Sequence, residues 1–151
     1  MIRPIATLCC LLASLVAGCS PKIKIDVVGG FSDLREHTVA GSEDGPLKVA
    51  VIDIEGIIAD TSRPGLLGPS RNPVDQIVTR LRMAEEDPDV RAVILRINSP
   101  GGTVAASDML YREIAGFRER TDHPVGVSMG EVAASGGYYI ALASDRIIAE
   151  P

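Results

Sequence analysis

Tryptophan is absent from this 151-residue sequence, and aromatic residues together make up 3% of it. Any core must therefore be aliphatic. Cysteine occurs only at Cys9, Cys10 and Cys19. Downstream of Cys19 there is no thiol, which excludes a disulfide framework, a cysteine–metal site, a CxxC redox pair and a cysteine nucleophile there. The two histidines, His37 and His123, lie far apart without metal-ligand spacing, and each is expected at the surface. Lysine is confined to Lys22, Lys24 and Lys48. No basic block and no aromatic–basic interleaving occur, and the formal net charge is −5. Nucleic acid is therefore not an expected partner.

A long hydrophobic run is missing as well. The apolar stretch from Ile5 to Ala17, behind Arg3, would span roughly 20 Å as a helix, short of a bilayer core of about 30 Å. That length suits a secretory signal peptide rather than a spanning helix. Its end, Val16-Ala17-Gly18-Cys19, resembles the lipobox of bacterial lipoproteins. The resemblance implies cleavage before Cys19, a lipid on that cysteine, and anchorage to a membrane of the bacterial cell envelope. Residues 1–18 read as the lipoprotein signal and 19–46 as a polar tether that lets the domain stand off the membrane. Ser20 stands where an Asp would resemble an inner-membrane retention signal, which favours the outer membrane in a cell with two.

What is present begins near Leu47. "LKVAVIDIEGII" reads as one or two strands with a break near Gly56, and "KIKIDVV" within the tether could form a short strand. Residues 59–72 read as loop. Asn72 then caps a helix that Pro73 opens, with Val74, Ile77, Val78 and Leu81 on one face and Pro88 beyond its end. Val93 to Ile97 reads as a strand buried on most of both faces, followed by a turn at "NSPGG". A helix from Thr103 to Arg120 carries Ala106, Leu110, Ile114 and Phe117 on one face. "PVGVSMG" is a strand, Ala134 to Ser144 a helix, and "RIIAE" a final strand that begins just before Pro151. A compact domain rarely stops there, so a fragment, or an end closed by another chain, is expected. The alternation predicts an α/β layered fold with a mostly parallel sheet, over residues 47–151.

Ligands of parallel α/β sheets sit at the carboxyl ends of strands. Two segments fall there: "NSPGG" (98–102) and "GEVAASGG" (130–137). Gly101 and Gly102 offer amides with no side chain in the way, as an oxyanion hole requires. Ser135 sits at a helix start where the amides of Gly136 and Gly137 should point outward. Taken singly, each segment has a structural reading: small residues packing a helix on a sheet, and a Pro-Gly turn. Residue 133 is Ala, so the G-x-S-x-G elbow pattern is not met. Together, on one sheet edge, they point to acyl transfer with Ser135 as nucleophile.

"ILRINSPGGTVAASDMLYREI" with "GVSMGEVAASGGYYIALASDRIIAEP" resembles the signal peptide peptidase A family of bacterial serine proteases. The resemblance covers about Leu47 to Pro151. It implies a fold related to Clp protease and crotonase, and a ring-like homo-oligomer. Its substrates would be leftover signal peptides or other extended hydrophobic chains, and it needs no cofactor or metal. On the matching positions Ser135 is the nucleophile. Gly102 and the Gly136 or Ser135 amide are oxyanion donors, and Asn98, Ser99, Pro100 and Gly101 shape the substrate loop. The family's general base is a lysine that follows the serine, and no lysine follows Ser135 here. His123 beside Asp122 makes a poor substitute. A non-catalytic scaffold of the same fold is the alternative. An acyl-CoA enzyme of crotonase type fits badly with an export signal.

The anchor reading has a direct test. Mass spectrometry of the mature amino terminus should find an acylated Cys19; an intact Met1 or an unmodified Cys19 would contradict it.

Overall fold

In the computed structural model the residues described are 22–26, 36–41, 45–61, 64–65, 68–69 and 72–150. The signal segment, Cys19 and much of the tether lie outside them. Among the described residues eight strands and three helices follow one another: β1 (Lys22–Asp26), β2 (Glu36–Ala40), β3 (Lys48–Ile58), β4 (Pro64–Gly65), β5 (Gly68–Pro69), α1 (Pro73–Glu86), β6 (Val90–Gly102), α2 (Val104–Thr121), β7 (Val125–Ala133), α3 (Gly136–Ala141) and β8 (Arg146–Ala149). Six strands form one sheet in the order β2-β1-β3-β6-β7-β8, and β4 pairs with β5 inside the expected loop. Only β2 runs antiparallel to its neighbour in the large sheet. The α/β, mostly parallel architecture is as the sequence predicts. The short strand expected at "KIKIDVV" is β1, so the sheet reaches into the segment read as a tether.

From β3 onward each crossover steps in the same direction across the sheet. Crossovers of one hand then place all their helices on one face. The core records this. Ile52, Ile54, Val93, Leu95, Ile97, Val125, Val127 and Met129 meet Leu81, Leu110, Ile114 and Phe117 in one cluster. On the opposite face of β6, Arg96 and Asn98 are exposed. The expectation that this strand is buried on both faces is therefore corrected: its burial alternates from residue to residue. On the open face Arg96 grips Asp53 of β3 through two bonds, 2.5 and 2.9 Å long.

Helix boundaries follow local chemistry. The Asn72 side chain accepts the Val74 amide at 2.9 Å, and Pro73 occupies the first turn of α1. Thr103 caps α2, and Ala106, Leu110, Ile114 and Phe117 are fully buried, as their spacing predicts. α3 is shorter than expected. Ser135 is non-helical at its start, and the amides of Leu142, Ala143 and Ser144 each bond three residues back, tightening the chain out of the helix. Two strands are longer than expected. β6 runs through "SPGG" to Gly102 and β7 runs on to Ala133, because Ile57, Ile58 and Ser99 supply pairing partners. β3 is one strand, with a register shift between Glu55 and Ile57 around Gly56 at φ +71°.

His37 is exposed, as expected. His123 is a correction. It is half-buried, its ring meets Phe117 edge-on at 6.4 Å, and its Nδ1 has no partner. It follows directly on a left-handed Asp122 that turns the chain back beneath α2. No helix among the described residues is long and apolar enough to cross a membrane.

Asp145 ties the far side of the sheet together. Its carboxylate accepts the Val125 amide at 2.8 Å and Arg118 Nε at 3.0 Å, while its own amide returns to the Val125 carbonyl. The Val125 hydrogen bond, then Arg118, holds this carboxyl below its ordinary range. A group depressed in the folded state binds protons more readily when unfolded. Its stabilisation is thus present above the usual aspartate pKa and is lost as pH falls through the folded value. Asp145→Asn should lower stability at neutral pH and flatten the acid limb of a stability–pH curve measured by urea unfolding.

Candidate active site

β6 and β7 are neighbours, so the two motifs meet at the carboxyl end of the sheet. Ser99 is the joint between them. It is fully buried. Its hydroxyl donates to the Gly56 carbonyl at 2.6 Å and accepts the Gly101 amide at 3.0 Å. Its carbonyl takes the Ala134 amide at 3.0 Å. One residue thereby fastens the ends of β3, β6 and β7. Asn98 adds a bond from the Val132 amide to its Oδ1, 3.3 Å long.

The glycines mark where backbones touch. A Cβ on Gly101, which sits at φ +97°, would lie 2.6 Å from the Gly136 nitrogen and 2.8 Å from Ser135 Cβ. One on Gly102 would strike the Ile58 carbonyl at 1.7 Å. One on Gly137 would meet the Ser99 carbonyl at 2.9 Å. Neighbouring amides of a strand point to opposite sides. The Thr103 amide bonds back to Ile58 of β3, so that of Gly102 faces the other way, toward Gly136.

Between Ala133 and α3, Ser135 adopts φ 50°, ψ −118° and is exposed. A side chain resists this conformation, at a cost of order 1–3 kcal/mol. The chain nonetheless makes a sharp strand-to-helix turn at Ser135 without the G-x-S-x-G spelling. Gly137 differs from expectation: its amide is committed to the Ala134 carbonyl at 2.9 Å. The six residues of α3 also give a weaker dipole than the expected eleven would.

Ser135, Gly136 and Gly102 line one cleft of about 690 Å³, walled by Val104, Ala105 and the Tyr139 ring. Pro100 lies exposed at the surface, whereas Ser99 and Gly101 are buried beneath the turn and touch no cleft volume. Ser107, Asp108 and Tyr139 are cleft residues that sequence reasoning missed. Their signal was helical spacing: Ser107 and Asp108 lie one turn into α2, and Tyr139 lies one turn past Ser135. The Tyr139 hydroxyl donates to Asp108 at 3.1 Å, and the Arg112 guanidinium donates to the other carboxylate oxygen at 2.8 Å. Arg112, then Tyr139, holds the Asp108 carboxyl low, and the bond to Asp108 pushes the Tyr139 phenol up. Tyr139 also stacks on Tyr111 at 4.9 Å.

The three lysines of the sequence do not come to this cleft. Lys48 opens β3 at the other end of the sheet and pairs with Asp87 at 2.5 Å. The backbone of β1 sets Lys22 and Lys24 in register with Lys48 and Ala50. His123 precedes β7 and Ser135 follows it, nine strand residues away or about 30 Å. Among the described residues no group of three or more His, Cys, Asp or Glu could hold a metal.

Residues 118–151 match the model of Peptidase family S49. Protease 4 of Haemophilus influenzae is 44% identical over 105 residues, which cover 70% of this chain and 16% of that protein. The chloroplastic serine protease SPPA of Arabidopsis thaliana is 38% identical over 120 residues, 80% of this chain and 17% of that protein. The chain is similar to peptidases of family S49. The resemblance to the signal peptide peptidase A family is thus borne out. The chain spans about a sixth of the length of these two relatives. A solved structure, the 1510-N membrane-bound stomatin-specific protease in mutant form, superposes with a TM-score of 0.53 at 25% identity. It covers 70% of this chain and 44% of its own, and the shared fold is Clp-protease-like.

The Ser99 joint should be energetically visible. Ser99→Ala leaves the buried Gly101 amide without its partner and removes a bond to the Gly56 carbonyl. Urea unfolding should show a loss of about 1–3 kcal/mol.

Proposed function

We propose that this chain is an S49 peptidase and carries the nucleophile and oxyanion hole of a serine endopeptidase that cleaves extended apolar peptides, cleared signal peptides among them. The observation that carries the reading is the strained, exposed Ser135 held against Gly101 over an apolar cleft that Gly102 also lines. Strain of this kind persists where the surroundings over-determine it, and such positions cluster at active sites.

In this reading Ser135 Oγ attacks the scissile carbonyl as a base takes its proton. The amides of Gly102 and Gly136 hold the oxyanion that develops. The intermediate collapses to an acyl-enzyme as the amine leaves with a proton, and water repeats the sequence to free the acid. The base is a lysine, as the family resemblance implies, brought to the cleft from outside the residues described. Lys48 is held at the far end of the sheet by Asp87, with Glu36 and Asp89 close by. The cleft wall is apolar, and its one carboxylate, Asp108, is already engaged by Arg112 and Tyr139. Apolar side chains suit such a wall better than basic ones. An acylated Cys19 would hold the enzyme in the cell envelope, where exported hydrophobic peptides accumulate, and copies of the chain would assemble as a ring.

Among the described residues no lysine or histidine lines the cleft, and the second reading is a binding or scaffold protein of the same fold. Ser135 substitutions separate the two. In the protein expressed from its native gene, Ser135→Ala should abolish cleavage of an unstructured apolar peptide. Ser135→Gly should abolish it while raising stability by about 1 kcal/mol, because glycine accepts the backbone angles that serine resists. Undiminished cleavage by either variant would overturn the protease reading; absence of cleavage by the parent would support the scaffold.

A further inference from the structure

Ser107 is one of three buried polar residues among those described, the others being Arg80 and Ser99. It lies one turn into α2 on the stripe that otherwise buries Ala106, Leu110, Ile114 and Phe117. Its hydroxyl donates to the Thr103 carbonyl four residues back, at 2.9 Å. Such back-bonding does nothing for a helix, and alanine is the better helix former at the same site. Folding alone therefore gives no reason for a hydroxyl here.

What the oxygen touches supplies one. With its proton directed at Thr103, Ser107 Oγ rests against the α-carbon of Gly136: a Cβ built on Gly136 would lie 2.2 Å from it. The same point is 3.3 Å from the Gly102 nitrogen. Ser107 thus stands where the end of β6 that carries Gly102 and the start of α3 that carries Gly136 meet α2, and it lines the cleft with both. α3 has only six residues, so few helical bonds brace Gly136 from the other side.

We infer that Ser107 is a positioning residue: its oxygen is the spacer between α2 and Gly136 that sets the separation of the Gly102 and Gly136 amides. The inference rests on the proposed oxyanion role of those two amides. A spacer acts on the transition state, where the oxyanion exists, and leaves ground-state peptide binding nearly untouched. Removing it lets the Ser135–Gly136 turn settle toward α2, and displacements below 1 Å suffice to slow such a site.

The test uses three variants of the protein expressed from its native gene. Ser107→Ala should lower kcat about tenfold or more with KM within about twofold, while the melting temperature stays within about 2 °C. Ser107→Thr, which keeps the oxygen and its bond to Thr103, should recover most of kcat. Crystal structures of the parent and Ser107→Ala should differ in the Gly102–Gly136 nitrogen separation by about 0.5 Å or more. An unchanged separation overturns the inference, as does a full kcat in Ser107→Ala when Ser135→Ala is inactive. Activity that falls only in step with the melting temperature also overturns it, since that marks a purely structural residue. If Ser135→Ala cleaves like the parent, the protease reading fails, and the nitrogen separation alone decides whether Ser107 is a spacer.

Discussion

The close approach of Gly101 to the Ser135–Gly136 turn is the contact on which the site depends. No side chain fits between them: a Cβ on Gly101 would stand within 3 Å of three atoms of the opposing turn. The approach is possible because β6 and β7 are adjacent and both overrun the positions where their regular pairing shifts, between Ile97 and Ser99. Ser99 makes it rigid. A serine in that place satisfies a carbonyl of β3 and an amide of β6 with one oxygen, and a backbone amide beyond β7 with its carbonyl. Buried polar atoms that are fully bonded specify one arrangement, because every alternative leaves one of them unpaired.

That rigidity explains how Ser135 can hold a backbone conformation costing of order 1–3 kcal/mol. The turn is clamped by Gly101 on one side, by α2 through Ser107 on another, and by Gly137 packed on the Ser99 carbonyl. Each clamp is a glycine or a small residue. The run of tiny side chains from Ala133 to Gly137 is therefore a packing requirement and also the condition for exposing Ser135 among amides. The two readings open to the sequence describe one structure.

Much of this was legible in the sequence. Helices α1 and α2 announced themselves through caps and through apolar residues spaced three and four apart, because helical periodicity is a property of ten or more consecutive residues. The juxtaposition of NSPGG and AASGG followed from both sitting after strands of a parallel sheet. Other features depended on partners far along the chain. Nothing near Pro100 says that β6 continues through it; that needs Ile57 and Ile58 of β3 beside it. The exposed second face of β6 follows from the direction of all the crossovers, which no single strand encodes. Gly137 was misjudged because its amide is consumed by a local bond to Ala134, a consequence of the turn's geometry rather than of residue type. The partial burial of His123 likewise needed Phe117 above it.

The charge distribution has the same logic. The Lys48 cluster with Asp87, Glu36 and Asp89 lies at the amino ends of the strands, and the candidate site lies at their carboxyl ends. Near Ser135 the cleft keeps a single carboxylate, Asp108, and couples it to Arg112 and Tyr139. On the proposed mechanism this coupling matters. A lysine serves as a base only when neutral, and an unpaired carboxylate beside it would favour the ammonium form. With Arg112 already balancing Asp108, what acts on a lysine entering the cleft is chiefly burial against Val104, Ala105 and Tyr139. Burial disfavours the charged amine and so drives it toward the form that can take the Ser135 proton. The apolar wall that suits a hydrophobic peptide is then the same wall that prepares the base.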